Sequence, residues 1–285
     1  MAKQTDPRQD PDVPAGMSID MLKDLHLLTR EGQLNADARR KLKQIRHLVN
    51  LLKPALDDAM ARQTEPVIVD CGAGKSYLGA LLYELVLAPA GRGSLTAIEA
   101  RPELSQQAAA RAARFGQERF HVATGAIDAI KLETRPNLVT ALHACDTATD
   151  DALALAIAQN ADHVAVVPCC QAEVARQLEK SRPDDPAIAA LFEHPLHRRE
   201  LGSHLTNVIR ALVLEAHGYR VTVTELVGWE HSAKNELILG KRVNRYGAEA
   251  RARLRALLER FQIEPALIRA LAARNLDPRA APPPA

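Results

Sequence analysis

An acid and two glycines follow a short β-branched run and lead straight into a helix in the segment VIVDCGAGKSYLG, Val67 to Gly79. Val67, Ile68 and Val69 have the character of a buried parallel strand. Gly72 and Gly74 then permit a sharp turn and a close approach of backbone amides to a ligand, at the N-terminus of a helix over Tyr77 to Leu87. Asp70 closes the strand at the carboxyl edge, where open α/β sheets bind their ligands. This is the pattern of a nucleotide-type cofactor site.

Two related motifs fit less well. A phosphate-cradling loop of the form G-x-x-x-x-G-K-[ST] finds Gly74, Lys75 and Ser76 for its tail, but its first glycine falls at Val69. A dinucleotide turn G-x-G-x-x-G finds Gly72 and Gly74 but has Tyr77 at the third position. A turn serving packing alone is the bland alternative. Glu99, ending the apolar run LTAIEA about 25 residues after the turn, favours a ligand with a ribose, whose hydroxyls an acid at that place can accept. It could instead cap the following helix.

The elements that must position these groups read as one soluble domain with helical additions. The 285 residues are 47% hydrophobic and 25% charged, enough for one sizeable core. No apolar run approaches the ~18 residues of a membrane span, and the N-terminus lacks a signal-peptide core, so a cytoplasmic location without membrane association is expected. Four cysteines without a regular framework agree with a reducing compartment. With a formal charge of +2, nucleic-acid binding has to be argued from local clustering.

Met1 to Met17, broken by Pro7, Pro11 and Pro14, is expected to be a loose tail. Ser18 is placed to cap a helix over Ile19 to Thr29 ended by Gly32, and Asn35 to cap a second helix reaching Pro54 or beyond. The second helix carries six basic residues and no acid between Arg39 and Lys53, opposite a stripe of Leu42, Ile45, Leu48, Val49 and Leu52. That face suits phosphates, or is simply solvated.

Strands and helices then alternate. Strands are expected at Ser94 to Ile98, Phe120 to Val122, Leu138 to Leu142 and His163 to Val167, with helices at Pro102 to Phe115, Asp151 to Gln159, within Gln171 to Glu179, and at Leu205 to Ala216. The last two strands, Tyr219 to Val227 and Glu236 to Leu239, are joined by a segment too short for a crossover helix, so the final strand should run antiparallel. An α/β, Rossmann-like sheet of seven strands with a reversed last strand, preceded by a helical extension, resembles the class I S-adenosylmethionine-dependent methyltransferases. The domains expected are a tail at 1–17, a helical extension at 18–62, the methyltransferase domain at 63–242, and a C-terminal helix with a proline-rich tail at 243–285.

Further motifs sharpen the resemblance. HACDTATD, from His143 to Asp150, and VVPCCQ, from Val166 to Gln171, resemble paired signatures of the methyltransferase-domain-32 type proteins. These are similar to tRNA 2'-O-methyltransferases with a K-H-L-C-G-x-x-T-D segment after strand four and a C-C-H segment after strand five. His143, Cys145, Thr149 and Asp150 match the first; Cys169 and Cys170 match the second. Asp146 replaces a glycine and Gln171 a histidine. Lys234 and Asn235, in EHSAKNELIL, match a T-P-K-N signature. The resemblance implies S-adenosyl-L-methionine as cofactor, held by Asp70, Gly72, Gly74, Glu99, Gly125, Ala126 and His143. Gly125 and Ala126 stand where many class I enzymes have an acid near the adenine, and Asp128 is a substitute for it. It implies an acceptor site at Cys169, Cys170, Gln171, Lys234 and Asn235.

Methyl transfer to a hydroxyl wants a base, for which His143 is the first candidate and Asp146 the second; a strand-end histidine can equally just hold a loop. Cys71, Cys145, Cys169 and Cys170 should all fall at the carboxyl edge, but none of the spacings is C-x-x-C, and they are read as packing residues with no metal rather than as a metal or redox site. A helix over Ala248 to Phe261 with Arg251, Arg253, Arg255 and Arg260 reads as a solvated cap, tempered by Glu249 and Glu259. Three functions follow: a methyltransferase acting on RNA, one acting on a small molecule or protein side chain, and a non-catalytic RNA-binding or assembly scaffold.

Overall fold

The computed structural model describes residues 10–13, 15–142, 144, 146–168, 171–226, 236–245 and 247–280. Seven strands form one sheet in the order β3-β2-β1-β4-β5-β7-β6. They are β1 (Val67–Cys71), β2 (Ser94–Glu99), β3 (Phe120–Thr124), β4 (Leu138–Ala141), β5 (His163–Val166), β6 (Tyr219–Glu225) and β7 (Glu236–Arg242). β1 pairs in parallel with both β2 and β4, and the sheet reverses its winding there. β7 is antiparallel to β5 and β6, as the short β6–β7 connection requires.

The helices are α1 (Ile19–Asp24), α2 (Ala36–Arg62), α3 (Tyr77–Leu82), α4 (Ala88–Ala90), α5 (Pro102–Arg114), α6 (Ala148–Ala158), α7 (Glu173–Lys180), α8 (Pro186–Ala190), α9 (Pro195–Ala216), α10 (Ala248–Phe261) and α11 (Ala266–Ala272). A π-type segment, Tyr83–Leu87, joins α3 to α4. β1, β4 and β5 are almost wholly buried because helices cover both faces. One core joins Val69, Val139 and Val166 to α6, α9, α10 and α11; a second joins Ile68, Leu138 and Leu95 to Leu48, Leu52 and Leu56 of α2, and a third gathers Met21, Leu22, Leu42 and Leu81.

Several expectations are corrected. α1 stops at Asp24 rather than Thr29 because His26, at φ 55°, turns the chain so that the N–H groups of Leu27 and Leu28 both donate to the Leu22 carbonyl, at 2.8 and 3.1 Å. The described part of the expected loose tail packs: Val13 and Met17 are buried beside Met21 and Leu42. Arg39 grips Asp10 and Asp12 at 2.8 and 2.5 Å. α9 begins ten residues before the expected Leu205, since its first turns carry too few apolar residues to show a stripe. α8 and α11 were not foreseen. Both expected N-caps form, with Ser18 Oγ accepting from Met21 N–H at 3.2 Å and Asn35 Oδ1 from Ala38 N–H at 2.8 Å.

Candidate active site at the carboxyl edge

The turn after β1 rests on geometry that only glycine adopts comfortably. Gly72 has φ +63°, and a Cβ there would lie 3.1 Å from Cα of Ala144 in the loop that leaves β4. Gly74 has φ +59°, and a Cβ there would meet nothing nearer than Arg101 Nη2 at 3.8 Å. The turn is therefore pressed against the β4 loop at one glycine and open at the other. Ala73 N–H donates to the Ile98 carbonyl at 3.0 Å, which holds the turn beside the end of β2.

Asp70 sits beneath this turn, 3% exposed, and accepts from Thr140 Oγ1 at 2.9 Å. Burial pushes its carboxyl up to about 7, against the lowering effects of the Thr140 hydroxyl and the Gly79 N–H. Glu99 ends β2, two residues beyond Ala97, the register partner of Asp70. Its Oε2 accepts from Gly74 N–H at 2.6 Å, and its Oε1 from Arg101 N–H at 3.0 Å and Arg101 Nε at 2.7 Å. Burial raises this carboxyl, but the Arg101 guanidinium and the two backbone N–H groups together hold it below its ordinary value. The site thus has one acid that titrates near neutrality and one that stays ionised.

Gly125 N–H donates to the Glu99 carbonyl at 3.1 Å, placing Gly125 and the exposed Ala126 beside the end of β2. Asp128 is exposed on the following 3-10 turn and is close enough to α6 for its charge to help raise Asp151, whose carboxyl is pushed up to about 6 chiefly by burial.

The two further motifs meet on α9. Asp146, at φ +51°, ties the loop after β4 to the start of α7: its carboxylate accepts from Ala172 N–H at 3.2 Å and from Arg176 at 3.4 Å. Thr149 Oγ1 donates to the Ala144 carbonyl at 2.5 Å. Asp150 binds Arg210 through both oxygens, at 2.8 and 3.0 Å. Arg210 also donates to the Asp146 carbonyl at 3.0 Å and to Asn207 Oδ1 at 3.3 Å. Gln171, buried after β5, donates to the same Asn207 Oδ1 at 2.8 Å, while Asn207 Nδ2 donates to Glu236 at 2.7 Å. Gln171 Oε1 has no partner among the described residues.

His143, Cys145, Cys169, Cys170, Lys234 and Asn235 lie outside the described residues. Of the four cysteines only Cys71 is described. It is buried, and burial together with the Asp70 charge pushes its thiol up, away from the thiolate a metal would need. No cluster of metal-ligating side chains occurs among the described residues. Sequence reasoning missed Thr140, Arg101, Asn207 and Arg210. The last two did leave a signal, an asparagine and an arginine three residues apart inside the apolar run LTNVIRALVLEA, which is the mark of a buried polar pair on a helix.

The donor set fits a nucleoside cofactor. Glu99 is an ionised acceptor suited to ribose hydroxyls, Gly72 and Gly74 leave backbone where side chains would intrude, and Asp70 supports the turn from below. Residues 40–177 match the model of the methyltransferase-domain family of type 32. No curated protein sequence matches the chain. Among solved structures, an rRNA methylase from Streptococcus thermophilus is similar at 10% identity, covering 68% of this chain and 95% of that one with a TM-score of 0.43. A magnesium protoporphyrin IX methyltransferase from Synechocystis with bound SAH has 10% identity, 78% and 94% coverage, and a TM-score of 0.44. The putative methyltransferase yhhF from Escherichia coli has 16% identity, 71% and 86% coverage, and a TM-score of 0.43. Among the described residues no helix is long and apolar enough to cross a membrane. The matched segment contains both acids and both glycines of the turn, and together with the Rossmann-like strand order and its reversed β7 it supports an S-adenosylmethionine-dependent methyltransferase.

Proposed function

We propose that the methyl acceptor is RNA. The observation that carries this reading is the direction and length of α2. Its C-terminus must lie at the amino edge of the sheet, because β1 begins five residues after Arg62 and because Asp58 meets His163, the first residue of β5, at 2.7 Å. At 27 residues α2 is about 40 Å long, against about 17 Å for the five residues of β1. Its N-terminal half therefore overhangs the carboxyl edge, on the same side as Glu99 and the glycine turn.

Part of the basic face is used within the chain. Arg39 holds Asp10 and Asp12, Arg46 donates to the Pro11 carbonyl at 2.7 Å, and Lys53 pairs with Asp57 at 2.6 Å. Arg40 and Lys43 are exposed on the overhang, Lys43 loosely paired with Asp12 at 3.9 Å. Exposed cations over the edge of the sheet that carries the glycine turn support a polyanionic acceptor over a small neutral one.

When bound, S-adenosylmethionine supplies an electrophilic methyl group on sulfonium, so the protein's task is to orient the acceptor and take its proton. His143 is proposed for that proton, since imidazole ordinarily titrates near neutrality. Asp146 is the second candidate. Gln171, with Cys169, Cys170, Lys234 and Asn235, is proposed to line the acceptor's place.

The test is transfer of labelled methyl from S-adenosylmethionine into separated RNA, protein and small-molecule pools, with RNA binding measured at several salt concentrations. Label should enter the RNA pool, and Arg40→Glu with Lys43→Glu should weaken binding and flatten its salt dependence. Label confined to another pool, or an unchanged salt slope, refutes the reading.

A further inference from the structure

The carboxylate of Glu99 is already saturated. A carboxylate offers about four acceptor positions. Gly74 N–H, Arg101 N–H and Arg101 Nε take three of them at 2.6, 3.0 and 2.7 Å, and Arg101 Nη2 approaches Oε2 at 3.3 Å. A ribose hydroxyl placed on Glu99 gains nothing until one of these donors leaves. The Gly74 N–H belongs to the turn after β1 and the Arg101 N–H to the entry of α5, so neither can withdraw without dismantling its element. The guanidinium can, because it ends a side chain that is 60% exposed.

A second observation places the same group across the cradle. Arg101 Nη2 is the heavy atom nearest to the space a Gly74 side chain would fill, at 3.8 Å. The guanidinium thus spans the end of β2 and the open glycine of the β1 turn, the two walls between which a nucleoside must fit.

We propose that Arg101 is a latch that competes with the cofactor's ribose for Glu99 and is displaced when a nucleoside carrying a vicinal diol enters. It is a positioning residue that sets cofactor affinity by holding Glu99 ionised and aimed while the site waits. The guanidinium of this pair is exposed and open to screening by salt while its Glu99 partner is 5% exposed, and the latch costs the cofactor about two- to fivefold in affinity. Low salt should strengthen the latch and high salt release it.

The test is calorimetric titration with S-adenosylhomocysteine, which carries no net charge, so that loss of the Arg101 charge does not act on the ligand by simple repulsion. Arg101→Ala should bind two- to fivefold more tightly than the unmodified protein at low salt, the difference closing at high salt, with Arg101→Lys between them. Glu99→Gln should lose most of the affinity in either background. Adenosine and its 2',3'-dideoxy analogue separate a latch from a plug: adenosine should gain from Arg101→Ala and the dideoxy compound should not. Equal or weaker binding by Arg101→Ala at low salt overturns the proposal, as does an equal gain for both nucleosides. Circular dichroism of each variant checks that the fold is retained, as expected for the exposed Arg101 and for the near-isosteric Glu99→Gln.

Discussion

Replacing Arg210 is the sharpest test of how the two motif loops are held. Its side chain is 1% exposed, that of its partner Asp150 is 4%, and the guanidinium donates to Asp150, the Asp146 carbonyl and Asn207. Arg210→Met leaves all three acceptors short of a donor in a space closed to water, and breaking a buried pair from one side costs about 3–5 kcal/mol. Burial pushes the Asp150 carboxyl up while Arg210 pulls it down, so without Arg210 the stranded acid takes up a proton, and the loss falls near the lower end, about 3 kcal/mol. With an unfolding entropy of about 0.6 kcal/mol/K for 285 residues, this lowers Tm by about 5 °C. Asp150→Leu combined with Arg210→Met removes both charges and should recover about half of that loss or more. Differential scanning fluorimetry on the two single variants and the double variant gives the cycle. A double variant that is less stable than Arg210→Met alone refutes the reasoning, because the pair would then not act as a unit. S-adenosylhomocysteine binding should persist in the double variant, since Glu99 and the glycine turn make no contact with Arg210.

Three further outcomes are expected. Asp70, raised from 3.8 to about 7, holds a proton in the folded protein that the unfolded chain gives up. Its contribution is therefore complete below about pH 4 and is lost as pH rises toward 7, by a few kcal/mol at most; thermal melts across that range should show a decline that Asp70→Asn abolishes. Gly72→Ala puts a side chain at φ +63° and 3.1 Å from Ala144. It should cost about 1–3 kcal/mol and reduce S-adenosylhomocysteine affinity at least tenfold by calorimetry, with intact affinity counting against the turn as the cofactor cradle. Arg39→Ala releases Asp10 and Asp12 and should speed proteolytic cleavage before Ser18 while leaving Tm nearly unchanged; an unaltered cleavage rate would show that Val13 and Met17 hold the segment by themselves.

The fold was legible where local patterns carried it. β1, β2 and β3 begin at the expected residues, and the ends of α10 agree at Ala248 and Phe261, because alternating apolar runs and helical stripes are local properties. The reversed β7 followed from the length of one connection. Failures came where tertiary contacts overrode local signals. Nothing near His26 announces that it turns left-handed, since the reason is the burial of Leu27 and Leu28 against Met21 and Leu22. The proline-broken N-terminus looked loose because Val13 and Met17 are single apolar residues, each of which finds its place only once α1 and α2 have formed.

The site divides along the same line. Asp70, Gly72, Gly74 and Glu99 lie next to strand ends, so residue type and spacing identify them. Their state does not lie in residue type: Asp70 is raised because it is buried, against the lowering effects of Thr140 on the neighbouring strand and the Gly79 N–H, and Glu99 stays ionised because Arg101 and Gly74 surround it with donors. The loops after β4 and β5 reverse the situation. Asp146, Asp150 and Gln171 could be placed by motif, yet what aligns them is Arg210 and Asn207, which stand far along the chain on α9. Arg210 accepts nothing, so Asn207 must turn its carbonyl toward it and its amide toward Glu236; Gln171 must then present its own amide to that carbonyl. The orientation of Gln171 is thereby set from Arg210, and its Oε1 is left as the atom for a donor to meet. If an N–H or O–H of the methyl acceptor supplies that donor, Gln171→Glu, which keeps the acceptor oxygen but abolishes the donation to Asn207, should impair methyl transfer more than S-adenosylhomocysteine binding; equal loss in both assays would assign Gln171 to the fold alone.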